Sequence, residues 1–234
     1  MSGIELPSGD EIQKAVFELF DRVKKSCPEN LLSALVPIDT SFEPGYKLID
    51  YLRDYEMQEV CNFLNDFKLI LEKIDNNKQE MRIKIMIYCH IMEADLPFII
   101  LWNLLRVLNG QQCEAEFRMI NKKGEKVICE YPDQKIAEIE KLSRQLKLAI
   151  GEFIRKFWRG DIRNAFSHSQ YFLSDNFFTI TRDLLLIPRK SLNKRAVYSY
   201  QDIDKLYSCA VSFLSTFIDV YKRYISPYKD GNAY

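Results

Sequence analysis

KQEMRIKIMIYCHIMEADLPFIILWNLLRVLN, residues 78–109, sets the architecture of this chain. Its apolar side chains recur at helical spacing and spread around much of the circumference, so a long, central, buried helix is expected. Pro97 predicts a bend, because proline lacks the donor that an uninterrupted helix needs. Asn109-Gly110 predicts its end. The uncharged core of the stretch, 96–105, is too short to span a bilayer. A helix apolar on all sides needs other helices around it.

The flanking sequence supplies them. Residues 57–75 place Val60, Cys61, Phe63, Leu64, Phe67, Ile70, Leu71 and Ile74 on one face and predict a second helix, broken at Asp75-Asn76-Asn77. Ahead of it, Ser8-Gly9-Asp10-Glu11 reads as a capping box for a helix carrying Ile12, Val16, Phe17, Leu19, Phe20 and Val23. Cys27-Pro28 ends that helix, and 36–46 reads as a loop with Pro37, Pro44 and Gly45. Residues 133–158 predict another helix, and 200–225 a last one with Ser199 as N-cap. Two segments break the helical pattern. Residues 114–131, around Asn121-Lys122-Lys123-Gly124, and 171–180, around Ser174-Asp175-Asn176, read as β-hairpins. The expected fold class is mainly α, a helical bundle with two short β-hairpins.

Composition bounds the function. With 234 residues, 47% hydrophobic and 28% charged, the chain reads as an ordinary globular protein able to bury most of its surface. The six cysteines (27, 61, 89, 113, 129 and 209) form no C-x-x-C pair, which excludes a zinc knuckle and fits a reducing cytoplasm. No secretory leader pattern stands at the N-terminus, so a cytoplasmic protein without membrane association is expected. Phosphate-loop, dinucleotide and nucleophile-elbow motifs are missing. The net charge is zero, yet residues 151–234 hold 13 basic and 8 acidic side chains, leaving 20 and 25 in 1–150. That asymmetry permits a basic patch in the C-terminal part.

The C-terminal part contains Arg163-Asn164-Ala165-Phe166-Ser167-His168, with one of only two histidines in the chain. Arginine clamps a phosphate with a planar fork, and histidine moves a proton near neutral pH. The pattern R-N-x-x-x-H arises by chance in about one in a hundred chains of this size. Five helical positions separate Arg163 from His168 by about 140° around the axis. They converge only if the helix starts or ends within the motif, or if a second protomer supplies one of them. Arg159 just ahead of the motif, Tyr171 just after it, and Arg106 on the central helix are candidate substrate contacts. Tyr171 offers a base-stacking ring, although a hairpin aromatic is more often core. Asn103 and Arg106 either pack against the motif or mark a solvent face. The 189–195 segment carries four positive charges and could track a nucleic-acid backbone, though a solvated loop is the ordinary reading. The aromatic group of Phe153, Phe157, Trp158, Phe166, Phe172, Phe177 and Phe178 reads as core or dimer interface. His90 and Glu93 share a helix face, which suits a buried polar network better than a metal site.

The run Ile162-Arg163-Asn164-Ala165-Phe166-Ser167-His168, with Tyr171 following, resembles the HEPN superfamily (higher eukaryotes and prokaryotes nucleotide-binding). That family carries R-x(4–6)-H on a helical bundle, often with Asn, Asp or His directly after the Arg. By helix order the resemblance covers 57–225 as the core of a single domain spanning 1–234, with 1–56 an N-terminal elaboration and 226–234 a tail. It implies a metal-independent endoribonuclease without cofactors, related to toxins or phage-defence effectors and acting as a homodimer on RNA. Arg163, Asn164 and His168 would be its catalytic residues. A nuclease of this kind implies regulation by an antitoxin or another partner. The alternatives are a HEPN-like module that binds nucleotide, RNA or protein without cleavage, and a helical interaction protein in which the motif is accidental.

Overall fold

The computed structural model describes residues 5–36, 46–121, 123–181 and 197–229, with the backbone alone for 46–56 and 229. Among these residues the chain is mainly helical, with nine helices and two small antiparallel sheets. The charged 189–195 segment and the loop at 37–45 lie outside the described residues.

The central stretch forms two helices, α4 (Asn77–Glu93) and α5 (Asp95–Leu108), meeting at 42°. The bend falls at Ala94 rather than at Pro97, because Ala94 leaves the helix with ψ 113°. The reason is steric: a proline ring collides with the carbonyl four residues back, here that of Glu93, so the helix stops there and restarts. Pro97 then sits in the first turn of α5, where a missing N–H costs little. Eleven of the fourteen α5 residues are buried, from Leu96 to Val107, so this helix is central as expected. Each large apolar side chain buried there contributes about 1.5–3 kcal/mol. No single helix among the described residues is long and apolar enough to cross a membrane.

Helix α1 (Gly9–Ser26) starts at the expected capping box, with Ser8 Oγ accepting the Glu11 N–H at 3.2 Å and Glu11 accepting the Ser8 N–H at 2.7 Å. Its Ile12, Val16, Leu19 and Phe20 are fully buried, so this segment supplies core. It packs along the last helix, α9 (Tyr200–Lys229), with Phe20 against Phe217 and Tyr224. Tyr224 donates to Asp21, and burial together with that carboxylate pushes its phenol up to about 12, so it stays a donor at neutral pH. After α1, Pro28 opens a short helix, α2 (Pro28–Leu35), in a stretch to which the sequence pattern assigns no element. Helix α3 (Tyr46–Leu71) begins eleven residues before the expected start at 57. Met57 and Cys61 are buried, but Ile70, expected inward, is 42% exposed.

The helix expected over 133–158 is a hairpin of two, α6 (Pro132–Gln145) and α7 (Ile150–Phe157). Lys147 adopts φ 57°, and Leu148 N–H donates to Ser143 O at 2.9 Å, which closes α6. Gly151 is what lets the two helices touch: a Cβ there would lie 2.7 Å from Glu140 Cα and from Ser143 Oγ. Gly151→Ala is therefore expected to lower stability by about 1–3 kcal/mol through overpacking. Adding Ser143→Ala should not restore it, because the Glu140 backbone remains in the way. Thermal melting of the two variants checks this; full recovery in the double variant contradicts the backbone contact.

Both expected hairpins form. Strands β1 (Arg118–Ile120) and β2 (Lys126–Ile128) pair with Met119 opposite Val127. Strands β3 (Tyr171–Leu173) and β4 (Phe177–Ile180) pair with Phe172 opposite Thr179, and a third strand, β5 (Val197–Ser199), adds to β4. Ser199 then caps α9: its hydroxyl accepts the Asp202 N–H at 3.1 Å and the Asp202 carboxylate accepts the Ser199 N–H at 3.2 Å.

Candidate functional site

The motif occupies a short helix, α8 (Gly160–Ser167), which follows α7 in the chain and packs against α4 and against β4 of the second sheet. Ile162 and Ala165 are buried and fix its inner face. The buried Tyr88 of α4 pins its entry, accepting the Arg159 N–H at 2.7 Å and donating to Phe157 O at 2.9 Å. Tyr198 of β5 pins the next turn by donating to Asp161 at 2.6 Å. Tyr88→Phe is expected to cost about 1–3 kcal/mol, since it orphans a buried acceptor and a partly buried donor. Amide hydrogen exchange should show the loss concentrated at 157–163; unchanged exchange there contradicts the assignment.

The helix stops inside the motif. His168 is the C-cap at φ −99°, ψ 7°, and Ser169 follows at φ 53°. Gln170 N–H donates to Ala165 O at 2.8 Å and Ser169 N–H to Phe166 O at 3.1 Å. These two bonds form a Schellman closure, here with serine in the left-handed position usually held by glycine. One of the geometric conditions for convergence, a helix end within the motif, is thus met. His168 is exposed, and its side chain has no hydrogen bond or ion pair among the described residues.

Arg163, in the middle of α8, turns toward α4. Its Nε donates to Glu93 Oε1, and its Nη1 donates to Asn164 Oδ1 at 3.0 Å. The Glu93 hydrogen bond raises the guanidinium's pKa, so the charge is permanent. The Arg163 side chain is 25% exposed, and Nη2 has no hydrogen-bond partner among the described residues. No hydrogen bond joins Arg163 to His168 among the described residues. Asn164 Oδ1 thus holds the arginine, and its side chain makes no hydrogen bond to His168 among the described residues. Nearby Cys89 is buried, which pushes its thiol up to about 12 and leaves it neutral and poorly nucleophilic.

The remaining candidates separate. Tyr171 stacks between Phe166 and Phe178, with ring centres 5.5 and 5.1 Å apart, extending an aromatic column from the motif into the core. Arg159 spends its Nη1 on the carbonyls of Lys156 and Trp158 at 2.9 and 2.8 Å, closing the end of α7. Arg106 lies near the far end of α5 from Glu93, about 17 Å along the helix axis. It pairs with Glu114 at 2.5 Å and covers the Trp102 ring at 4.5 Å. The buried Asn103 exchanges two hydrogen bonds with the Glu114 backbone at 2.8 and 2.9 Å. Both therefore clasp the segment that leads into β1 and do not reach the motif. Of the aromatic group, Phe157, Trp158 and Phe178 are core, while Phe172 and Phe177 are 49% and 42% exposed.

His90 is exposed on α4 and lies over Phe63 at 3.9 Å between ring centres, so it joins no buried network. Desolvation there lowers its pKa. Glu93, weighed from sequence only as a partner for His90, instead holds Arg163, a pairing across 70 positions that periodicity cannot reveal. Among the described residues no three His, Cys, Asp or Glu side chains gather in a manner suited to a metal ion. No family model matches this chain, and no curated protein or solved structure matches it.

Proposed function

We propose that this chain is a HEPN-like, metal-independent endoribonuclease that acts in the cytoplasm as a symmetric dimer, in a toxin or defence role under a regulatory partner. The observation that carries the reading is the state of the two motif side chains. His168 stands exposed on a helix end with no side-chain partner among the described residues, while Arg163 is held on two sides and its Nη2 meets no acceptor among them. A histidine in that setting is available for proton transfer. An arginine so held meets a phosphate without first reorganising.

His168 takes the proton of a ribose 2′-OH, whose oxygen attacks the adjacent phosphorus. Arg163 stabilises the charge that grows on the phosphate oxygens. The P–O5′ bond breaks as its oxygen gains a proton from His168 of the partner subunit, leaving a 2′,3′-cyclic phosphate and a 5′-hydroxyl. Two histidines are needed, one as base and one as acid, which is why an isologous dimer suits a motif with a single histidine.

The test incubates the protein with 5′-labelled RNA in EDTA. Cleavage with cyclic-phosphate ends is expected, and a matched oligonucleotide carrying 2′-deoxy sugars should remain intact. Intact RNA from a well-folded protein, or cleavage of both substrates, overturns the reading. A second reading, a non-cleaving nucleotide or RNA-binding module, draws on the lack, among the described residues, of any hydrogen bond between Arg163 and His168. It predicts RNA binding that depends on Arg163 with no product.

A further inference from the structure

We propose that Glu93 is a positioning residue for Arg163, setting the guanidinium so that its open end faces the scissile phosphate. This inference rests on the reading of Arg163 as the phosphate-binding group. Glu93 is the last residue of α4, where the free carbonyls of the helix end already concentrate negative charge. A carboxylate there works against the helix it belongs to, so helix stability does not explain its presence. The break at Ala94 ends α4 just after Glu93, and α4 packs against α8 at this point. Arg163 is thereby gripped on Nε by a charged acceptor on another element and on Nη1 by its own neighbour, Asn164.

Two bonds from different directions fix both the position and the plane of the fork. Among the described residues nothing takes the Nη2 donors, which are left for a ligand. Asn164 alone cannot do this, because it rides on the same helix as the arginine and moves with it. Glu93 references the guanidinium to the core through α4, whose neighbouring Cys89, Ile91 and Met92 are buried. The alternative role, a carboxylate that occupies the arginine in place of phosphate, makes the opposite prediction: removing it should improve the site.

The experiment compares wild type with Glu93→Gln, Glu93→Ala and Arg163→Ala. Two readouts are used: kcat and KM on cleavable RNA, and anisotropy of a fluorescent 2′-O-methyl RNA that cannot be cut. Glu93→Gln keeps an acceptor for Nε and should stay within about tenfold of wild type. Glu93→Ala should lose about 10²-fold, mainly in kcat, as misplacement of a catalytic group does. Equal or higher activity in Glu93→Ala, or equal losses in the Gln and Ala variants, overturns the proposal. Where Glu93→Ala does not fold, Glu93→Asp retracts the carboxylate by one methylene and should cost about tenfold; no loss there overturns it equally. If no RNA is cut, the 2′-O-methyl probe decides: weaker binding in Arg163→Ala and Glu93→Ala but not Glu93→Gln supports positioning. Binding unchanged in Arg163→Ala overturns the parent reading and this one with it. Binding weakened by Arg163→Ala but untouched by Glu93→Ala overturns this one alone.

Discussion

His168→Ala is expected to reduce RNA cleavage about 10²–10⁴-fold, the range that a positioned acid–base group contributes. The same substitution should move the melting temperature by no more than about 1–2 °C. The side chain is exposed and makes no hydrogen bond or ion pair among the described residues, and the Schellman closure around it uses backbone groups alone. Separation of activity from stability is what distinguishes a chemical role from a structural one. The measurement is single-turnover cleavage in EDTA beside a thermal melt. A residual rate within a few-fold of wild type removes His168 from the chemistry, and a large drop in melting temperature makes it a structural residue.

Trp102→Ala should cost about 3–5 kcal/mol, the usual loss for a fully buried large aromatic. Total stability for a domain is only about 5–15 kcal/mol, so the variant should be at the margin of folding. Trp102 is completely buried in α5 and stacks on Phe117 at 4.4 Å, which ties β1 and the preceding loop to the central helix. Its indole N–H has no hydrogen-bond partner among the described residues. Trp102→Phe should therefore cost much less than the alanine variant, since it keeps most of the ring and removes an unsatisfied donor. Urea unfolding followed by circular dichroism gives both numbers. An alanine cost under about 1 kcal/mol contradicts the assigned role of the ring.

Periodicity carried most of the fold. Ten buried apolar residues on α5 and the buried stripe on α1 match the pattern of their apolar side chains, and the Ser8 and Ser199 caps fell where their chemistry placed them. Punctuation was harder to read. The break at Ala94 is displaced from Pro97 because the clash acts four residues upstream, and α6 ends at Lys147 through a left-handed conformation that a lysine does not advertise. Strand β5 is as short as β1, β2 and β3, but it pairs with β4 from beyond a long intervening segment, so no tight turn marks it as one arm of a hairpin.

The motif itself was visible as Arg163, Asn164 and His168, but its surroundings were not. Arg106 is a chemically plausible phosphate contact that the fold pairs with Glu114 and Trp102, whereas Arg159 gives only its Nη1 to backbone carbonyls. Glu93 and Tyr88, which hold the motif, are 70 and 71 positions from their partners. Such contacts follow from helix packing, not from any local spacing.

The pairing of α1 with α9 also constrains how the chain reaches this state. Phe20 meets Phe217 and Tyr224, and Cys209 Sγ lies 3.4 Å from Pro7 O, so the first helix finishes its burial on the last. Contacts that distant impose a large closure entropy before they return any stability, and they slow folding. During synthesis, the apolar stripe of α1 stays uncovered on that side until α9 has emerged. Tyr198, which anchors Asp161, lies in β5 just ahead of α9, so α8 also gains this support only late in synthesis. A nascent chain therefore carries its motif helix without the Tyr198 anchor until β5 has been made, while the last turns of α9 complete the cover of α1.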